Sequence, residues 1–150
     1  QRPDCSLRGR RAVSGSAAGV GARVVSTVGP VLIVGTGLVG ASLGLALRAG
    51  GVSVYLEDAS PTSLRLAADV GAGRPLSDVA NEAGVACADR GKDHPGYEAP
   101  RIVVVATPPD VADRVIVDAL ARFPRAIVTD VASVKDAIVA DVLAALDREG

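Results

Sequence analysis

The sequence has 150 residues, 49% apolar and 22% charged, with a formal net charge of -1, a composition that suits one domain with its own core. That charge, together with one Phe, two Tyr and no Trp, excludes the basic surface and stacking platforms of a nucleic-acid binder, and no apolar run reaches the roughly 20 residues of a membrane-spanning helix. Two isolated cysteines, Cys5 and Cys87, and a single histidine, His94, make no zinc-ligand pattern, so no metal is expected and a reducing, cytoplasmic setting fits.

Residues 1–29 hold five arginines against the single acid Asp4 and show no sustained periodicity. A disordered or non-native tail is expected there, with a transit peptide as the alternative reading of an Arg-rich, acid-poor leader. The sequence contains no methionine and opens on Gln1, which suggests a fragment or a processed product. The folded domain is expected over residues 30–150.

Val31 to Val34 reads as a strand buried on both faces, because four consecutive aliphatic residues leave no polar side for water. Gly35-Thr36-Gly37-Leu38-Val39-Gly40 follows at once and opens an apolar helical pattern. A strand, a Gly-x-Gly-x-x-Gly turn and a helix form the first half of a dinucleotide-binding unit. In it the first glycine permits the tight turn, the second admits a pyrophosphate to the backbone and the third lets the helix lie close to the strand. The free N–H groups and positive dipole end of that helix supply the anion site. Val52 to Glu57 reads as a second strand, and Asp58 stands 18 residues beyond Gly40, near the roughly 20-residue offset at which an acid meets the adenosine ribose. Asp58 favours NAD. Thr62, Ser63 and Arg65 nearby leave NADP open.

Ser60-Pro61 is a helix start with Ser60 as N-cap, and the helix runs to about Val70. Leu76 to Ala83 reads as a short helix capped by Ser77, and Gly84 to Ala86 as a short edge strand. Asp89 to Pro100 has the charge, glycine and proline content of an exposed loop. His94 sits inside it, ahead of a strand, and is expected to be solvated and non-catalytic.

Arg101 to Ala106 is again a doubly buried strand, and Thr107-Pro108-Pro109-Asp110 turns it into a helix with Val111, Val115, Ala119 and Leu120 on one face. Thr107 and Pro108 thus stand at a strand's carboxyl end, where ligands of doubly wound sheets bind. Ala126 to Asp130 reads as a further strand, and Ser133 caps a last helix with Val134, Ile138, Val142 and Leu146 on its stripe. Ser133 and Lys135 are expected to face the same crevice as the glycine turn. The fold class is therefore α/β, a Rossmann-type doubly wound parallel sheet.

Three segments in this order, VGTGLVGASLGLAL, VVVATPPDVA and VTDVASVK, resemble the cofactor domain of the prephenate dehydrogenases, the TyrA family of tyrosine biosynthesis. The Asp-x-x-Ser-x-Lys that closes the last strand is the most specific of the three. The resemblance covers about residues 30–149 and is less clear between Arg74 and Pro100. It implies NAD(P)-dependent oxidative decarboxylation of prephenate, or of arogenate in some members. Ser133 matches the family serine that helps orient a catalytic histidine and the substrate hydroxyl. That histidine belongs to a motif expected after Gly150, and a helical domain that dimerises and completes the substrate pocket is likewise expected beyond it. Two other readings are another β-hydroxyacid-type dehydrogenase and a dinucleotide-sensing module without chemistry.

Overall fold

The computed structural model describes residues 29–133 and 135–149, apart from the side chains of residues 135–137 and 149. The expected tail up to residue 28, and Val134, lie outside the described residues. Five parallel strands, β1 (Val31–Val34), β2 (Val54–Glu57), β3 (Arg74–Pro75), β4 (Ile102–Val105) and β5 (Ile127–Asp130), form one sheet in the order β3-β2-β1-β4-β5. The helices are α1 (Leu38–Ala49), α2 (Pro61–Asp69), α3 (Leu76–Glu82), α4 (Pro109–Arg122) and α5 (Lys135–Glu149). This is the Rossmann-type doubly wound sheet that the sequence predicts.

Alternation along the central strands decides which helix covers which face. Ile33, Leu56 and Val104 stand abreast in the register and pack with Ala41, Leu43 and Leu47 of α1 and with Leu64 and Ala67 of α2. Their neighbours Leu32, Tyr55 and Val103 stand abreast on the other face, under Leu76, Val79 and Ala80 of α3, Ala119 of α4 and Phe123 directly after it. Ile138 fastens α5 to Val105 and Ala112. Both faces are therefore closed over β1 and β4, which is why those strands read as unbroken apolar runs, whereas Ile127 and Thr129 leave one face of β5 exposed.

Strand bounds tighten slightly against the sequence reading. The Val52 N–H donates to Leu47 O at 3.0 Å and finishes the exit of α1, so β2 starts at Val54. Ala126 N–H donates to Phe123 O at 2.9 Å, and β5 starts one residue later.

Three expectations are corrected. Gly84–Ala86 is not a strand, because Val85 N–H donates to Ala80 O at 2.8 Å and closes α3, leaving the Val85 side chain buried in the core. The edge position belongs to Arg74–Pro75, where a proline is tolerated because that side needs no donor. Ser77 does not cap α3: the helix starts directly after Pro75, and the Ser77 hydroxyl donates to Asp78 Oδ1 at 3.1 Å. Finally, Asp89–Pro100 is anchored at its centre. Tyr97 is 3% exposed, stacks on Tyr55 with ring centroids 6.1 Å apart and donates its hydroxyl to Arg90 O at 2.7 Å. Tyr97 belongs to the core under α3 and α4 even though its neighbours in sequence are turn residues.

Candidate functional site

At the carboxyl edge of the sheet, where β1 and β4 send their helices to opposite faces, a cleft of about 790 Å³ opens between the β1–α1 turn, the end of β2 and the start of α4. The glycine turn is shaped by contacts that only glycine allows. Gly35 has φ +98°, a conformation that side chains rarely adopt, and a Cβ there would lie 2.6 Å from Ala106 O. A Cβ on Gly40 would strike the Gly35 carbonyl oxygen, and one on Gly44 the Ala72 carbonyl oxygen. Gly40 thus lets α1 lie close to β1, and Gly44 lets it lie close to the segment between α2 and β3. Gly40 does not itself line the cleft.

Gly37 is different. It is the N-cap of α1 with φ -67° and ψ -167°, and apart from its own chain neighbours nothing lies within 4 Å of the Cβ it lacks. Its missing side chain leaves open cleft, whereas at Gly40 it leaves room for backbone. No side chain caps α1 and no acid stands in its first turn, so the orphan N–H groups and the dipole of that end are left to a ligand or to water. Leu38, 87% exposed, and Val39 line the mouth.

Thr36 turns away from the cleft and is 5% exposed. Its N–H and hydroxyl both donate to Asp58 Oδ2, at 2.6 and 2.8 Å, and Ser60 N–H donates to Asp58 Oδ1 at 2.7 Å. Asp58 thus ties the glycine turn to the end of β2. Burial works to raise its pKa, and the Thr36 and Ser60 donors outweigh burial and hold the carboxyl below its ordinary range. Three bonds do not exhaust a carboxylate with about four acceptor sites, and Asp58 still lines the cleft.

Thr107 and Pro108 form the wall contributed by β4. Thr107 Oγ1 is buried without a hydrogen-bond partner. Ser63 lines the cleft, but Arg65 and Thr62 border a separate depression on α2 with Leu66 and Asp69. Ser133 follows β5 at the same sheet edge, is exposed, and does not line the cleft. The capping role expected of it depends on Val134, and the reach of Lys135 on its side chain, both outside the described residues. His94 lies on the amino side of β4, away from the cleft, with its backbone paired to Tyr97. It is half-buried and its Nε2 is out of water without a partner, so the loop placement holds and the solvated reading does not.

The sequence reading missed the far end of the cleft. Arg122 Nη1 and Nη2 donate to the two oxygens of Glu57 at 2.7 and 2.9 Å, and Nη1 also donates to Asp118 Oδ2 at 3.0 Å. The Glu57 bonds, ahead of the opposing effect of burial, raise the guanidinium pKa. Glu57, Asp118 and Arg114 all line the cleft. The Asp118–Arg122 spacing of four residues was available as a helix pair, whereas Glu57 and Arg122 lie 65 residues apart with no local signal.

A parallel sheet in this order, with a glycine turn at the point where the connections diverge and an acid ending the neighbouring strand, defines a Rossmann-type doubly wound domain. No family model matches the chain. Over 42 residues, 28% of this chain and 12% of the relative, it is 60% identical to the probable prephenate dehydrogenase NovF of Streptomyces niveus. It is similar to the crystal structure of Synechocystis arogenate dehydrogenase, with TM-score 0.56 and 26% identity over 75% of this chain and 36% of that one. It is also similar to prephenate dehydrogenase from A. aeolicus, solved with hydroxyphenyl propionate and NAD+, with TM-score 0.60 and 25% identity over 80% of this chain and 39% of that one. The chain thus spans well under half the length of these relatives. The resemblance to prephenate and arogenate dehydrogenases read from the three sequence segments is borne out.

Proposed function

We propose that the cleft binds NAD and that the chain is the cofactor-binding portion of a prephenate dehydrogenase, which converts prephenate to 4-hydroxyphenylpyruvate in tyrosine biosynthesis. The observation that carries this reading is Gly37, whose open Cβ position stands directly before an uncapped helix N-terminus. Gly35, Gly37, Leu38 and Val39 form the pyrophosphate cradle, with Thr36 and Gly40 fixing its shape from behind. Asp58 takes the adenosine ribose, and Thr107 and Pro108 border the cofactor. The buried, unpartnered Thr107 Oγ1 fits a polar ligand at that wall. Glu57, Asp58 and Asp118 against Arg114 alone make the lining acidic, which disfavours a 2′-phosphate, so NADP is the weaker ligand.

NAD, when bound, supplies the hydride acceptor. This chain's residues bind and orient it, with Ser133 and Lys135 on the substrate side. The one histidine of the sequence precedes β4 and does not line the cleft, so this reading leaves polarisation of the substrate hydroxyl to a histidine other than His94, as the resemblance to prephenate dehydrogenases implies. Arogenate is the alternative substrate. A cytoplasmic, homodimeric whole enzyme accords with this reading, and among the described residues no helix is long and apolar enough to cross a membrane.

Titration of NADH fluorescence tests it. The Cβ of Gly37→Val enters open cleft, with nothing but its own chain neighbours within 4 Å, so the variant is expected to fold and to lose NADH affinity by about tenfold or more as charge-assisted contacts to the pyrophosphate are blocked. Unchanged affinity would remove the glycine turn from the site. Without a histidine at the cleft, the position of His94 also favours a second reading, a dinucleotide sensor. Oxidation of prephenate by a chain extended past Gly150 separates the two.

A further inference from the structure

At the far end of the cleft the charges are unequal. Glu57 and Asp118 share the single guanidinium of Arg122, which holds Glu57 through two bonds and Asp118 through one. Both carboxylates line the cleft, and Arg122 itself does not. What the cleft meets there is acceptor oxygen with lone pairs to spare, fixed in place by a bidentate pair that resists reorientation. Val111 and Val115, one turn apart on α4, line the same region, with Arg114 beside them. An apolar wall with a guanidinium next to it suits a flat heterocycle, and the carboxylates suit a donor on that ring's edge.

From this juxtaposition we infer that Glu57 and Asp118, positioned by Arg122, select a purine that carries an exocyclic amino donor, so that the cleft discriminates adenine from hypoxanthine. The inference rests on the cofactor reading above and adds to it a choice of base. Hypoxanthine carries a carbonyl oxygen where adenine carries the amino group, and an N–H at ring N1 where adenine has a lone pair, so a carboxylate set against the exocyclic position meets a repulsion in place of a donor. A site built to accept from an N–H at the exocyclic position rejects the analogue that presents an acceptor there more strongly than an apolar pocket rejects a change of shape.

The test compares NADH with reduced nicotinamide hypoxanthine dinucleotide by fluorescence titration of the full chain. The expected result is binding of the hypoxanthine form weaker by about tenfold to a hundredfold, the range set by one hydrogen bond to a charged acceptor. Glu57→Gln, whose amide can donate to a carbonyl, should bring the two dissociation constants to within about threefold of each other. Asp118→Asn leaves the bidentate pair intact and should narrow the ratio by a smaller amount, so the inference stays open to test if the Glu57 variant does not fold. Equal affinities for the two dinucleotides in the wild type, or a ratio that neither variant moves, would overturn the base selection. Failure of both dinucleotides to bind would overturn the cofactor reading beneath it.

Discussion

Asp58 has two tasks, and Asp58→Ala separates them. Its carboxylate accepts three hydrogen bonds, from Thr36 N–H at 2.6 Å, Thr36 Oγ1 at 2.8 Å and Ser60 N–H at 2.7 Å. Removing it lets Ser60, which is exposed, turn to water, but Thr36 is 5% exposed and both of its donors are stranded. A buried donor left unmatched costs about 1–3 kcal/mol. Allowing for a carboxylate that is itself partly in water, the two together amount to a stability loss of about 2–3 kcal/mol, quite apart from any ligand. Urea unfolding measures this as a lower midpoint at unchanged slope. The pH dependence has a definite sign. The folded carboxyl titrates below its ordinary value of 3.8, so its contribution is fully present above that unfolded value and is lost as pH falls through the lowered folded one. The gap between wild type and Asp58→Ala should therefore be widest near neutrality and close on acidification below about pH 4. An unchanged midpoint at pH 7, or a gap that persists undiminished in acid, would refute the tie between Asp58 and the glycine turn.

The glycines should separate just as cleanly. Gly40→Ala pushes a methyl group onto the Gly35 carbonyl oxygen and should cost about 3 kcal/mol in the same assay, whereas Gly37→Ala should stay within about 0.5 kcal/mol. Asp58→Ser should reduce the preference for NADH over NADPH by about tenfold to a hundredfold. Tighter binding of NADPH by the wild type would instead sink the ribose assignment. The chain by itself should give no NADH absorbance with NAD and prephenate, and His94→Asn should leave NADH affinity unchanged. Turnover that His94→Asn abolishes would overturn the placement of that histidine outside the site.

The parallel sheet and its glycine turn were legible because they rest on local rules. Doubly buried strands leave no polar positions, so β1 and β4 announce themselves, and the spacing of Gly35, Gly37 and Gly40 meets geometric needs a few residues apart. The short edge strand was placed wrongly for a related reason. Arg74–Pro75 has neither the length nor the composition of a strand and is ordered by pairing with Tyr55 and Leu56, while Val85 looks like a strand residue and is a core plug behind α3. Tyr97 was hidden by its neighbours: a loop composition says nothing of one aromatic that reaches back to Tyr55. In the cleft, Asp58 was found by its offset from the glycines, but its grip on Thr36 was not, since no rule of spacing says which donors a carboxylate will meet. The Glu57–Arg122 pair lay further still from anything a sequence window contains.

Where the dinucleotide sits is decided by a crystal structure of the chain with NADH bound. The pyrophosphate is expected against the Gly35–Gly40 turn at the N-terminus of α1, the adenosine ribose on Asp58 and the base beside Glu57 and Asp118. A dinucleotide bound elsewhere on the molecule, or the turn left empty at saturating NADH, would contradict that placement.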